Sequence, residues 1–325
     1  MVGKEQNTIF TKSDLLEKKI DCHTHSVGIE LNMMYDFSYP TTSDLLHLSS
    51  EIQCSIIDYA ITFPMPTPLY FDIIKYRTEG NFISTGFGEF PFEYENRTLL
   101  AGIKKFKVTN ILPFLSFSLN DKVDEQAEYI DMCCSNKAIY GLKYHTMADQ
   151  HSAIDLQNHS SLMNVIIKNN LPIMFHSGKR EFQNPLLILQ FAKTNPYIRV
   201  CVAHFGRFEK RFCAELESSE YPNVYIDTSP FSNICTQNAR LMTKGDTNII
   251  KLNYNSPVKV LADMYNRYKS KLIWGTDFPW NCQTGLLDDS EIDCSYYNEE
   301  VDILLNNLEM AENIASKNTN RFLFG

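Results

Sequence analysis

Short runs of β-branched and apolar residues recur along the chain at fairly even intervals, and stretches with helical periodicity lie between them. The runs Lys19–His23, Ser55–Phe63, Asn110–Phe117, Ile139–His145, Pro172–His176, Arg199–His204, Asn223–Thr228 and Leu272–Asp277 predict strands. The intervening periodicity predicts helices over Thr42–Gln53, Glu93–Phe106, Val123–Cys133, Asp155–Asn169, Asn184–Thr194, Phe208–Ser218, Pro257–Lys269 and Glu299–Asn318. Strand and helix alternating eight times is the pattern of an α/β chain wound as a (β/α)8 TIM barrel. An open doubly wound sheet is the alternative architecture. It would normally bring a Gly-rich phosphate turn, and Gly86-Phe87-Gly88 lacks the third glycine.

Three connections are long, and each follows a strand: residues 65–92, 231–256 and 280–298. In a barrel these loops belong over the C-terminal mouth, where active sites are built. The first carries Tyr70, Phe71, Tyr76, Phe82, Phe87 and Phe90, which fit either an apolar wall for a ligand or a small satellite core that packs the loop down. No internal repeat, low-complexity tract or linker divides the chain, so residues 1–325 are expected to form a single barrel domain.

Composition narrows the function classes. With 44% hydrophobic residues the chain can bury a large core. Its 30 basic and 39 acidic residues give a formal net charge of −9 without basic blocks, which argues against a nucleic-acid partner. The nine cysteines are odd in number, scattered, and include no Cys-x-x-Cys pair, so reduced thiols and a cytoplasmic location are expected. Residues Met1 to Lys19 lack the apolar core of a signal peptide, and no apolar stretch is long enough for a membrane span. The partner implied is a small molecule. Assembly into a homo-oligomer is compatible with this reading.

The chemistry sits at the strand ends. His23 and His25, spaced by one residue on a strand, project to the same side, and two imidazoles so placed can grip one metal ion. The fifth strand closes as Phe175-His176-Ser177-Gly178, the sixth as Ala203-His204-Phe205-Gly206 and the eighth as Gly275-Thr276-Asp277-Phe278-Pro279-Trp280. In a barrel all of these share one rim. A single strand-terminal histidine is usually an ordinary hydrogen-bonded residue. Four of the eight histidines and an aspartate at one rim call for something that organises them, and a divalent ion does so.

These segments, together with Ile20-Asp21-Cys22-His23-Thr24-His25, Gly141-Leu142-Lys143-Tyr144-His145, Asn223-Val224-Tyr225-Ile226-Asp227-Thr228-Ser229 and the tail Asn320-Arg321-Phe322-Leu323-Phe324-Gly325, resemble the metal-dependent amidohydrolase superfamily. The resemblance is to the amidohydrolase-related 2, or aminocarboxymuconate-semialdehyde decarboxylase-like, branch, and it covers almost the whole chain. That branch contains hydrolases of lactones and amides as well as non-oxidative decarboxylases. The resemblance implies a metal held by His23, His25, His176 and Asp277, with His204 facing it. Three nitrogens and a carboxylate suit Zn²⁺, and Mn²⁺, Fe²⁺, Co²⁺ or Ni²⁺ can occupy the same set. It further implies Asp277 as the proton carrier and His204 as the group that polarises a substrate carbonyl. Lys143 shares a face with Gly141 and His145; it is either a carboxylated bridge between two metals, as in some relatives, or a buried ammonium paired with a carboxylate such as Asp277. His145 is placed to support the ligands from behind.

The substrate signal is thinner. Arg180, Lys179 and Arg207 follow the fifth and sixth strands, where guanidinium groups can clamp a carboxylate, and surface salt bridges are the competing fate. Trp280, Phe63 and Met65 add apolar surface. Phe205-Gly206-Arg207 stands where decarboxylases of the branch often carry a Gly-rich turn. The leading expectation is a metal-dependent hydrolase of a small organic substrate. A decarboxylase of the same branch and a barrel that binds ligand without catalysis are the alternatives.

Overall fold

Residues 10–26, 45–65, 75, 78–80, 84–85, 87–217, 221–280 and 297–325 are described by a computed structural model of the chain. The apolar runs form eight parallel strands: β1 Ile20–Ser26, β2 Tyr59–Pro64, β3 Ile111–Phe117, β4 Gly141–Tyr144, β5 Ile173–Phe175, β6 Val200–Val202, β7 Val224–Asp227 and β8 Leu272–Ile273. Each pairs with the next in sequence order. β8 and the turn after it return to β1: Cys22 N–H donates to Trp274 O at 2.9 Å, Asp277 N–H to His23 O at 2.8 Å and His25 N–H to Phe278 O at 2.7 Å. These bonds close a (β/α)8 barrel. Gly275 permits the closure, because a Cβ there would stand 2.7 Å from the Cβ of His23.

Strand alternation sorts side chains into two layers. Ala60, Leu142, Phe175, Val202, Ile226 and Leu272 face outward into the large core under the helices. Ile61, Phe63, Phe114, Met174, Cys201, Tyr225 and Ile273 fill the barrel interior, and Leu15, Phe322 and Leu323 pack into that same cluster. Phe322 lies against the rings of Phe114 and Tyr225, with centroids 6.3 and 5.5 Å apart, so the chain's final helix, Asn318–Phe324, plugs the end where the strands begin.

The helices follow the expected order with revised bounds. Glu93–Phe106 matches its predicted span, and Pro185–Thr194 starts on a proline with the Asn184 side chain accepting from Leu186 N–H. The predicted Asp155–Asn169 helix divides into a 3-10 turn, Ala153–Asn158, and a helix, Ser160–Lys168. The predicted Glu299–Asn318 helix is a succession of pieces, Tyr297–Leu305, Leu308–Glu312, a π-helical turn Asn313–Lys317 and Asn318–Phe324. Phe231–Ser256 is corrected from a structureless connection: Phe231–Thr243 is a helix that buries Phe231, Ile234, Cys235 and Asn238.

Residues 281–296, most of 66–86, residues 42–44 of the first predicted helix and Ser218 lie outside the described residues, as do Tyr70, Phe71, Tyr76 and Phe82. Of the aromatic loop, Phe90 is buried against Tyr129, whereas Phe87 is exposed beside Tyr94. Among the described residues the cysteines are free thiols, and no helix is long and apolar enough to cross a membrane.

Candidate active site

Strict alternation from Ile20 and Cys22, both interior, would send His23 outward with Asp21. The pairing of β1 with β2 shifts register between Asp21 and Thr24, and this irregularity brings His23 inside as well. His23 then sits 4.9 Å from the ring of Phe63, with His25 4.6 Å from the same ring. Asp21, left outside, accepts from Thr276 Oγ1 at 2.7 Å and from the N–H groups of Thr276 and His23 at 3.1 Å. It thereby ties the backbone of His23 to the turn that carries Asp277. Burial raises the Asp21 carboxyl to about 7, and the Thr276 hydrogen bonds oppose that rise.

The side chains converge at the C-terminal mouth. Asp277 Oδ1 lies 2.9 Å from His25 Nε2 and 3.2 Å from His23 Nε2, and its Oδ2 lies 3.8 Å from His204 Nδ1. His23, His204 and Asp277 each offer a ligand atom, all within 4.8 Å of one another. His176 joins one ring further out: its Nδ1 is 2.9 Å from His204 Nε2, and its ring stacks on His145 at 4.6 Å. His145 in turn accepts from Ala148 N–H as the cap of a short helix, which fixes its ring behind His176. Lys143 points inward from β4, with Nζ 3.4 Å from His23 Nε2 and 4.5 Å from the centre of the Phe63 ring.

Burial dominates the electrostatics. It lowers His23 to about 3 and His204 to about 4, and holds His25 and His176 well below the usual imidazole range, with Lys143 adding to the effect in each case. The four rings are therefore neutral at pH 7 and carry lone pairs. Burial also brings Lys143 down to about 8, against the pull of Asp227 and Asp277.

The turn after β6 has an uncommon backbone. His204, Phe205, Gly206, Arg207 and Phe208 all have positive φ, between 51° and 60°, one turn of left-handed helix. For residues with a Cβ this conformation costs roughly 1–2 kcal/mol each. Gly206 is required there for a second reason, since a Cβ would meet the Phe212 ring at 2.4 Å. The turn sends Arg207 toward the site, where Nη2 donates to Gln237 Oε1 at 2.6 Å. Burial lowers the pKa of its guanidinium, and the negative charge of Asp277 opposes this. Asp277 is itself left-handed, at φ 62°, and its carbonyl accepts from Trp280 N–H at 2.6 Å.

The structure thus brings together His23, His25, His176, His204, Asp277, Lys143 and His145, with Arg207 and Trp280 at the edge. Arg180 and Lys179 are exposed instead. Asp227 and Asp21 belong to the cluster and were not singled out by sequence reasoning. The signal available for Asp227 was its place at the end of a strand, the same signal that marked the histidines.

The donor set fits a divalent ion. His25 Nδ1 is buried without a hydrogen-bond partner among the described residues. His23 Nδ1 meets Asp227 Oδ2 at 2.7 Å, and a carboxylate can only accept, so the neutral ring turns an unprotonated Nε2 toward Asp277 Oδ1. Two acceptors facing each other are reconciled by a cation, a role open to a divalent ion and, at 3.4 Å from Nε2, to the Lys143 ammonium.

A sequence model of the amidohydrolase family matches residues 93–323. The chain belongs to this family. The matched span takes in His176, His204 and Asp277, whereas His23 and His25 precede it. No curated protein matches the chain by sequence. Solved structures share the fold along nearly its whole length. A probable 2-pyrone-4,6-dicarboxylic acid hydrolase from Acinetobacter baumannii with citric acid bound has a TM-score of 0.58 at 13% identity, covering 94% of this chain and 99% of its own. A dihydroxybenzoic acid decarboxylase from Polaromonas with bound manganese and 2-nitroresorcinol has a TM-score of 0.59 at 11% identity, covering 94% and 97%. The manganese-bound 5-carboxyvanillate decarboxylase of Novosphingobium aromaticivorans has a TM-score of 0.57 at 11% identity, covering 99% and 98%. This amidohydrolase is accordingly an enzyme, and the solved structures that share its fold include one named as a hydrolase and two named as decarboxylases.

Proposed function

We propose that this amidohydrolase is a divalent-metal-dependent hydrolase of a small organic substrate bearing a carboxylate. His23, His25, His176 and Asp277 would hold the ion, with His204 beside it. The observation that carries the reading is the convergence of two neutral imidazole nitrogens and one carboxylate oxygen on a single point, with a third imidazole in the same group. Zn²⁺ suits three nitrogens and a carboxylate; manganese in the structural relatives makes Mn²⁺ the principal competitor.

When bound, such an ion supplies Lewis acidity, bringing the pKa of a water from 15.7 to about 7 and polarising a carbonyl. The chain's own groups do the rest. Asp277 accepts the proton of the attacking water and delivers it to the leaving group. His204, oriented by donating Nδ1–H to Ser229 O at 2.8 Å, would stabilise charge on the substrate oxygen once it takes up a proton at Nε2. Arg207, braced by Gln237, offers a charged fork to the substrate carboxylate, and Phe63 and Trp280 exclude water. Lys143 is read as a buried cation that balances Asp227 and Asp277.

The decarboxylase alternative is supported by the named activities of two of the structural relatives. Purified protein should contain about one divalent ion per chain, and the double variant His23→Ala/His25→Ala should lose it by elemental analysis. Retention of the ion in that variant overturns the ligand assignment. On a panel of lactones, amides and aromatic acids, uptake of solvent ¹⁸O into product identifies the hydrolase, and CO₂ release identifies the lyase.

A further inference from the structure

Asp227 ends β7 wholly buried, and everything that meets it is a donor. Its Oδ2 lies 2.7 Å from His23 Nδ1 and 3.8 Å from the Cys201 thiol. Its Oδ1 accepts the backbone N–H of His204 at 2.8 Å, the N–H of Ser229 at 3.1 Å and the Ser229 hydroxyl at 2.8 Å. One wholly buried carboxylate therefore joins β1, the turn after β6 and the turn after β7.

We propose that Asp227 is the positioning residue of this site, setting the tautomer of His23 and pinning the start of the left-handed turn that presents His204 and Arg207. The inference rests on the metal-site reading above and adds to it the group that makes His23 a competent ligand. The Ser229 hydroxyl gives its hydrogen to Asp227 Oδ1, so its oxygen, 2.8 Å from His23 Nδ1, can there only accept. Both neighbours of Nδ1 are then acceptors, and Nδ1 must carry the ring's single proton. Nε2 is left bare and aimed at Asp277. A carboxylate behind a metal-facing histidine also raises the basicity of the ligating nitrogen.

The role demands a carboxylate in particular. Asparagine matches its shape but supplies one acceptor and one donor. With the amide NH2 turned to His23, Nδ1 must become the acceptor and the proton moves to Nε2, where it blocks coordination. With the NH2 turned to His204, two N–H groups oppose each other and the left-handed turn loses its anchor.

The test uses Asp227→Asn, with two readouts. In metal-free wild-type protein, ¹⁵N NMR of ring-labelled histidine should show His23 protonated at Nδ1; protonation at Nε2 in the wild type overturns the proposal without any variant. In Asp227→Asn the proton should move to Nε2 or His23 should become a tautomeric mixture, and affinity for Zn²⁺, measured by competition with a chromophoric chelator, should fall 10- to 100-fold. Ser229→Ala, which keeps the carboxylate, should retain the wild-type tautomer and lose much less affinity. An Asp227→Asn protein with the wild-type tautomer and undiminished Zn²⁺ affinity overturns the assignment. A tautomer switch in the variant with no metal binding by either protein supports the role of Asp227 and removes the metal reading instead.

Discussion

On the proposed reading Asp277 joins two tasks that are usually divided between residues. Its Oδ1 belongs to the His23–His25 convergence and its Oδ2 faces His204, so on that reading ligation and proton transfer would use different oxygens of one carboxylate. Asp277→Asn should therefore retain measurable metal through the histidines while turnover per bound metal falls on the order of 10²- to 10⁴-fold, because an amide cannot take the water proton. Turnover close to wild type per metal ion would show that the proton travels elsewhere. At this scale the histidines were legible because their chemistry is rare at strand ends. Asp227 and Asp21 were not, because a carboxylate reads as a surface residue until the fold shows that it is buried and surrounded by donors. The inward turn of His23 was equally hidden, since it depends on a register shift that alternation cannot foresee.

Elements were legible where one pattern dominated. Each strand was found from its apolar run, and several predicted ends ran past the sheet: His145, His176, His204 and Asp277 follow the last paired residues. Those are the candidate site residues, and they stand at the C-terminal edge of the sheet, where the mouth lies. Within Phe231–Thr243, Ser232, Asn233, Thr236 and Asn238 favour caps and turns and mask the helix, although Phe231, Ile234, Cys235 and Asn238 keep helical spacing. The left-handed turn at His204–Phe208 had no sequence signal beyond one glycine. It carries a prediction of its own. At Arg207, φ 59°, the usual helix preference for alanine over glycine should invert: Arg207→Gly should be more stable than Arg207→Ala by about 1 kcal/mol. Both variants should bind a carboxylate substrate more weakly. Urea denaturation of the pair gives the answer, and a more stable alanine variant would mean that the turn relaxes when its arginine is removed.

For the whole molecule, gathering four imidazoles and three carboxylates in one cluster makes stability depend on pH. Unfolded histidine takes up a proton near pH 6.5, whereas folded His204 and His23 resist until about 4 and about 3, and His25 and His176 resist likewise. Below 6.5 the unfolded chain thus binds more protons, and the histidine contribution, complete above that pH, is lost as acid is added. Asp21 and Asp227 act oppositely, because their folded pKa values are raised, and two groups offset four only in part. Metal-free protein should melt at a progressively lower temperature from pH 7 to pH 5 in calorimetry. A melting temperature that holds or rises over that interval contradicts the neutral-imidazole cluster. Added divalent ion should raise the melting temperature near pH 7 and do so less in acid, as protons compete for the ligands.

The plug formed by Leu15, Phe322 and Leu323 gives the barrel a floor. With that end filled, the C-terminal mouth is the way in among the described residues, and this imposes an order of traffic. On the proposed reading the ion lies beneath the place where substrate sits, so it must arrive first and leave last. On that reading substrate and product would both pass through the mouth. A tightly held product analogue then does two things at once: it competes with substrate, and it shelters the ion from chelators for as long as it stays.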